Sequence, residues 1–272
     1  MKVFVIADME GVAGICRWDQ VLAGRPAYEE GRLLYTEELN AAVRGAFAAG
    51  ATDVVVMDCH GAGGDRAFNS LVPERLDPRA DFVVQTRWTE YTGFLEQGCD
   101  VALLVGQHAM AGAERGVLSH TVSSTNWHAL YFNGVEVGEV GINAALCGTW
   151  NCPVALVTGD DVVCAEAAAL LGPGLQTLAV KTALGRYSAR HHAPARAREE
   201  LEQAVRAALA APQDAPVYDP GAPCTITVQL NTADQADPYR GRTDVAVTGP
   251  RTIEATADSW WAAWRAVYLS NR

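Results

Sequence analysis

Three apolar runs in this sequence each lead straight into side chains that can ligate a metal. Val3-Phe4-Val5-Ile6 runs into Asp8 and Glu10, Asp53-Val54-Val55-Val56 into Asp58 and His60, and Val101-Ala102-Leu103-Leu104-Val105 into His108. A β-strand that ends in a carboxylate or imidazole delivers it to the carboxyl edge of a sheet, where open α/β sheets hold their ligands. Asp8 and Glu10 lie two apart, so in an extended segment they share a face. Two acids that close repel each other unless a cation lies between them. Asp58 and His60 repeat the spacing, with Asp58 either a ligand or the acceptor that holds the His60 ring. Singly, these are ordinary loop acids and satisfied histidines. Jointly they describe a hard, multi-carboxylate metal site.

Carboxylates that bridge two ions, with imidazole completing each shell, suit Zn²⁺, with Mn²⁺ and Co²⁺ as competitors. Paired ions about 3.5–4 Å apart can hold a bridging hydroxide as nucleophile and polarise a scissile carbonyl. Such a centre wants a proton carrier near the leaving group. His120, in Leu118-Ser119-His120-Thr121, is the candidate, and Glu139, in Gly138-Glu139-Val140-Gly141, is a candidate fifth ligand. His128 and Arg190-His191-His192 read as surface or structural residues. Strand alternation turns Cys59 away from the face that carries its neighbours, so it is nominated neither as nucleophile nor as ligand.

The elements that must position these groups follow from pattern. Strands alternate with helical stretches through the first half, the mark of a mostly parallel sheet with helices on both faces, a three-layer α/β fold. A long helix spans about Tyr28 to Ala49 and closes at Gly50. A helix is expected through Thr89–Gln97, a hairpin around Asn133-Gly134, a helix from Gly138 to Cys147, and an amphipathic helix over 195–210. Prolines at 212, 216, 220 and 223 mark a loop. Beyond it, strands near 224–230 and 243–248 and a helix over 256–269 suggest a smaller α+β part. The expected division is therefore a metal-binding α/β domain over 1–212 and a C-terminal α+β part over 213–272.

Composition narrows the function classes. With 272 residues, 49% of them apolar, the chain can bury a large core. A net charge of −11 argues against nucleic acid, which selects a basic face. Met1-Lys2 leads at once into a four-residue strand and Asp8. A secretory signal needs roughly 7–15 apolar residues in a row, and a membrane span about 20, so neither is expected. Seven cysteines, an odd number without a CxxC, read as buried small hydrophobes in a reducing, cytoplasmic setting.

Several of these segments, taken in order, resemble a known family. They are Asp8-Met9-Glu10-Gly11-Val12-Ala13-Gly14, Tyr28-Glu29-Glu30-Gly31-Arg32, Asp58-Cys59-His60, Gly106-Gln107-His108-Ala109, Gly116-Val117-Leu118-Ser119-His120 and Val137-Gly138-Glu139-Val140-Gly141-Ile142-Asn143. The sequence is similar to the zinc-dependent D-aminopeptidases of peptidase family M55, densely over 1–165 and more loosely in the last quarter. The resemblance implies that Asp8 bridges two zinc ions per subunit, with Glu10 and His108 completing one shell and His60 and Glu139 the other. It implies His120 as catalytic histidine, short peptides such as D-Ala-D-Ala as substrates, and cytoplasmic, ring-like homo-oligomers, decamers in the best-known case. The sequence departs from the family pattern at Cys59, where a serine is expected, and by one extra residue around Ala113-Glu114-Arg115. The alternatives are another di-metal hydrolase, phosphoesterase or amidohydrolase, and a non-catalytic metal- or peptide-binding protein.

Overall fold

A computed structural model describes residues 1–86 and 93–268. Its elements, in chain order, are strands β1 (Lys2–Ala7), β2 (Asp53–Asp58), β3 (Asp81–Val83), β4 (Val101–Gln107), β5 (Trp127–Phe132), β6 (Val135–Val137), β7 (Val154–Asp160), β8 (Gln176–Gly185), β9 (Ser188–His191), β10 (Cys224–Leu230), β11 (Ala246–Gly249) and β12 (Thr252–Ala257). The helices are α1 (Trp18–Val21), α2 (Tyr28–Ala48), α3 (Glu139–Thr149), α4 (Asp161–Leu171), α5 (Pro194–Ala208) and α6 (Trp260–Tyr268). The helix expected from Thr89 falls partly outside the described residues. Within them its end is a single 3₁₀ turn, Leu95–Gln97.

The first sheet runs β3-β2-β1-β4-β7-β8-β9, parallel except for the terminal β9. Its central strands are unbroken apolar runs because both faces are covered. Val3, Val5, Val54 and Val56 face Tyr35 and Leu39 of α2 and Leu201 and Val205 of α5. Phe4, Ile6, Val55 and Met57 face the other way, toward α3, α4 and the second sheet. The fold is the expected α/β arrangement, a mostly parallel sheet between helices.

The second sheet is antiparallel, ordered β11-β12-β10-β5-β6. The part expected over 213–272 thus shares its sheet with residues 127–137, which pair through β5 against β10. Asn133 and Gly134 both have positive φ, the geometry of a two-residue hairpin turn. The helix expected over 256–269 is shorter, because Thr252–Ala257 forms β12. Ile253 and Ala255 alternate inward with period two, so that stretch obeys the strand pattern.

Sheet order reverses at β1, which has β2 on one side and β4 on the other. That is the switch point where connections diverge and leave a crevice at the strands' carboxyl ends. Asp8 and Glu10 follow β1, His60 follows β2, and His108 follows β4.

Candidate metal centre and active site

Backbone bonds pull these strand exits together. Asp8 N–H donates to Val105 O at 2.9 Å, and Gly11 N–H to Gly106 O at 2.7 Å. Only glycine fits at this crossing. A Cβ on Gly106, whose φ is +75°, would lie 2.1 Å from Asp8 O, and one on Gly11 would lie 2.0 Å from Gln107 O. From behind, fully buried Lys181 of β8 donates from Nζ to the carbonyls of Glu10, Val12 and Ile15. Glu38 of α2 adds an acceptor for Ala13 N–H at 3.0 Å. The loop that carries Glu10 is thereby fixed by a lysine and a glutamate, neither of which a local sequence pattern reveals.

The nominated ligands converge. Asp8, Glu10, His60 and His108 are each at most 3% exposed. Asp8 Oδ1 lies 3.3 Å from His60 Nδ1, and Asp8 Oδ2 lies 3.4 Å from His108 Nε2. Glu10 Oε2 is 2.9 Å from His60 Nδ1, and Glu139 Oε1 is 3.3 Å from His108 Nε2. The two oxygens of Asp8 therefore point to different imidazoles. The shortest carboxylate contact of His60 is with Glu10 and that of His108 is with Glu139, while Asp8, Glu10 and His108 also bring ligand atoms within 4.8 Å of one another.

Each histidine is oriented by a backbone carbonyl. His60 Nε2 meets Val21 O at 2.7 Å, His108 Nδ1 meets Ala109 O at 3.0 Å, and His120 Nδ1 meets Leu118 O at 2.8 Å. A ring nitrogen that donates to a carbonyl leaves the opposite nitrogen as a lone pair toward the cluster, the usual arrangement behind a metal-bound imidazole. Two buried atoms of the cluster, Glu10 Oε2 and His108 Nε2, have no hydrogen-bond partner among the described residues. Three carboxylates around aimed nitrogens and two orphaned atoms form a donor set that fits zinc.

Charge balance says the same. Burial opposes a charge on His60, yet Glu10 and Asp8 outweigh it and hold the ring well above its ordinary range. At His108, burial is likewise overcome by Glu139 and Asp8. Asp8 itself is raised by burial and by Glu10 beside it. The cluster demands positive charge at these atoms, and a divalent cation meets that demand without protonating the rings.

Asp58, expected as either a ligand or the acceptor that holds the His60 ring, neither bonds the ring nor joins a ligand cluster among the described residues. It accepts from Tyr35 Oη at 3.0 Å, from the backbone N–H of His60 at 3.0 Å, and from Ser70 N–H, so it shapes the loop instead. Cys59, expected to face away, lines the cavity, because the chain leaves the pleat after Asp58. Burial and the charge of Asp58 push its thiol well above the usual range, so it is no thiolate. His120 lies 3.7 Å from Glu139 Oε1 through Nε2, and burial and His108 lower its affinity for a proton.

A cavity of about 210 Å³ opens over the cluster. Trp18, Phe68, Val122 and Ile142 line it, with Trp264 and Tyr268 reaching in from α6. Asn143 belongs to it too: its Nδ2 donates to Gln107 Oε1 at 3.0 Å. The i,i+4 spacing of Trp264 and Tyr268 marks one helix face, but nothing local ties that face to residues near the N-terminus.

The profile of the Peptidase_M55 D-aminopeptidase family matches residues 1–269. The chain belongs to that family. It is 32% identical over 272 residues to a D-aminopeptidase of Bacillus subtilis (strain 168), covering 99% of this chain and 96% of the relative. Among solved structures it resembles the Zn-dependent D-aminopeptidase DppA from Bacillus subtilis, a self-compartmentalizing protease, with a TM-score of 0.90 and 30% identity. That match covers 100% of this chain and 97% of the other. The chain is accordingly a metal-dependent aminopeptidase.

Proposed function

We propose that this aminopeptidase releases N-terminal D-residues from short peptides such as D-Ala-D-Ala, using two zinc ions per subunit held by Asp8, Glu10, His60, His108 and Glu139. The observation that carries the pair of ions is the divergence of the Asp8 oxygens, one toward each imidazole. Zinc, when bound, supplies Lewis acidity toward the scissile carbonyl and makes a water acidic enough to attack it.

The chain's own part is orientation and proton handling. The peptide lies in the cavity over the cluster, where Trp18, Phe68, Trp264 and Tyr268 exclude water from the scissile bond. His120, neutral because burial and His108 disfavour its cation, presents Nε2 to the cavity. It takes a proton there and passes it to the departing amine. Among the described residues neither lysine nor arginine lines this cavity, where a phosphate-binding site would be expected to carry one, which favours a peptide over a phosphate ester.

No helix among the described residues is long and apolar enough to cross a membrane. We place the enzyme in the cytoplasm as a ring-like homo-oligomer, a decamer on the family pattern, in line with the self-compartmentalizing relative. Mass measurement in solution tests the assembly. For the chemistry, the zinc-loaded protein is offered D,D-, L,L- and mixed dipeptides and free amine is measured. Release from D,D-dipeptides, two zinc ions per wild-type chain and at most one in Asp8→Ala are expected. Release from L,L-dipeptides alone would end the D-specific reading.

A further inference from the structure

A second cavity, of about 310 Å³, abuts the first. His120 and Ser124 line both, so the proposed proton carrier stands in the wall between them. Ala111, Gly112 and Ala113 form part of the second cavity's lining. Among the described residues lining either cavity, Arg186 is the only lysine or arginine. No carboxylate among the described residues lines the second cavity, whereas three lie in the first.

Arg186 sits in the turn between β8 and β9 and is tied to the His120 loop twice. Its carbonyl accepts from Leu118 N–H at 2.8 Å. Its guanidinium lies 5.8 Å from the Trp18 ring centroid, and Trp18 meets the His120 ring edge-on at 5.5 Å. Its other contact is the Tyr187 ring, and among the described residues no carboxylate pairs with it. The guanidinium fork is thus exposed, anchored beside His120 and unclaimed.

A peptide whose scissile bond sits at His120, with its N-terminal residue over the carboxylate cluster, extends its departing residue across that wall. In a dipeptide this residue carries a free α-carboxylate. Among the described residues that line the second cavity, Arg186 is the guanidinium that can meet it. We propose that the second cavity is the leaving-residue subsite, in which Arg186 binds the C-terminal carboxylate and selects dipeptides over amidated or longer peptides. This rests on the aminopeptidase reading above. It adds a specificity determinant and alters no bond-making step. A charge-assisted, two-pronged arginine–carboxylate contact is worth about 10- to 100-fold in affinity.

The test compares D-Ala-D-Ala with its C-terminal amide. Binding to the zinc-free wild-type protein, read by calorimetry, should favour the free acid by about tenfold or more. In Arg186→Ala the two ligands should bind alike, and Arg186→Lys should restore part of the difference as a single-point contact. With zinc, the same preference should appear in turnover as a lower KM for the acid. Equal binding of acid and amide by wild type, or a preference that survives Arg186→Ala, overturns the proposal. Absence of amine release from either compound, with the binding preference intact, refutes the hydrolytic reading and leaves the carboxylate subsite standing.

Discussion

The imidazole of His120 lies stacked on that of His108, centroids 3.9 Å apart and planes within 12°. With Trp18 at its edge, the ring has little room to turn. The backbone around it is forced: Leu118 has φ of 50° and Val122, a β-branched residue, φ of 60°. Left-handed geometry is unfavourable for such residues and persists where surrounding contacts over-determine it. Here Val122 N–H donates to Glu139 Oε1 at 2.8 Å, so one of the proposed ligand carboxylates also fixes the loop that presents His120.

His120→Ala should keep its zinc and its fold while kcat falls by about 10²–10⁴-fold, the usual weight of a positioned proton carrier. Metal analysis together with steady-state kinetics reads both. An undiminished kcat would remove His120 from the mechanism.

Lys181→Met should strip the carbonyls of Glu10, Val12 and Ile15 of their shared donor. Buried acceptors left unpaired make the loss about 2–4 kcal/mol, measured by urea unfolding of the zinc-free protein. Zinc affinity should fall as well, because the Glu10 loop relaxes. A variant equal to wild type in both would show that the lysine does not hold the loop.

Gly106→Ala should cost more than about 2 kcal/mol, since both its positive φ and the Asp8 carbonyl oppose a Cβ. Gly61→Ala, where no atom lies within 4 Å, should change stability by less than about 0.5 kcal/mol. Comparable thermal shifts for the two would contradict the close approach of β1 and β4.

Glu38 is raised by burial, against Ala13 N–H and Lys181, to about 7 from an ordinary 4.5. Between those pH values the folded chain keeps a proton that the unfolded chain has lost. Stability contributed by that proton is full below 4.5 and declines as pH rises toward 7. Glu38→Gln should flatten this decline. Unfolding free energies at pH 5 and pH 8 give the comparison, and an unaltered pH slope in the variant would refute the assignment.

Asp8, Glu10, His60 and His108 were legible because each stands at the end of an apolar strand, and the register of a parallel sheet aligns such ends. The fold class was legible for the same reason: periodicity is a property of neighbouring residues. The C-terminal end of α2, before Gly50 with its positive φ, and the Asn133-Gly134 hairpin follow from cap and turn chemistry that is equally local. The pattern failed at Thr252–Ala257, where a helix expected from 256 overran a strand end.

The sequence by itself determined which side chains could ligate a metal and which strands would carry them to one edge. Only the tertiary structure decided that Asp8 divides its oxygens between His60 and His108, that Asp58 serves the backbone, that Lys181 secures the Glu10 loop, and that α6 closes the cavity. The Lys181 contact alone joins residues 171 positions apart. Strand pairing and loop closure bring them together, and no local spacing encodes either.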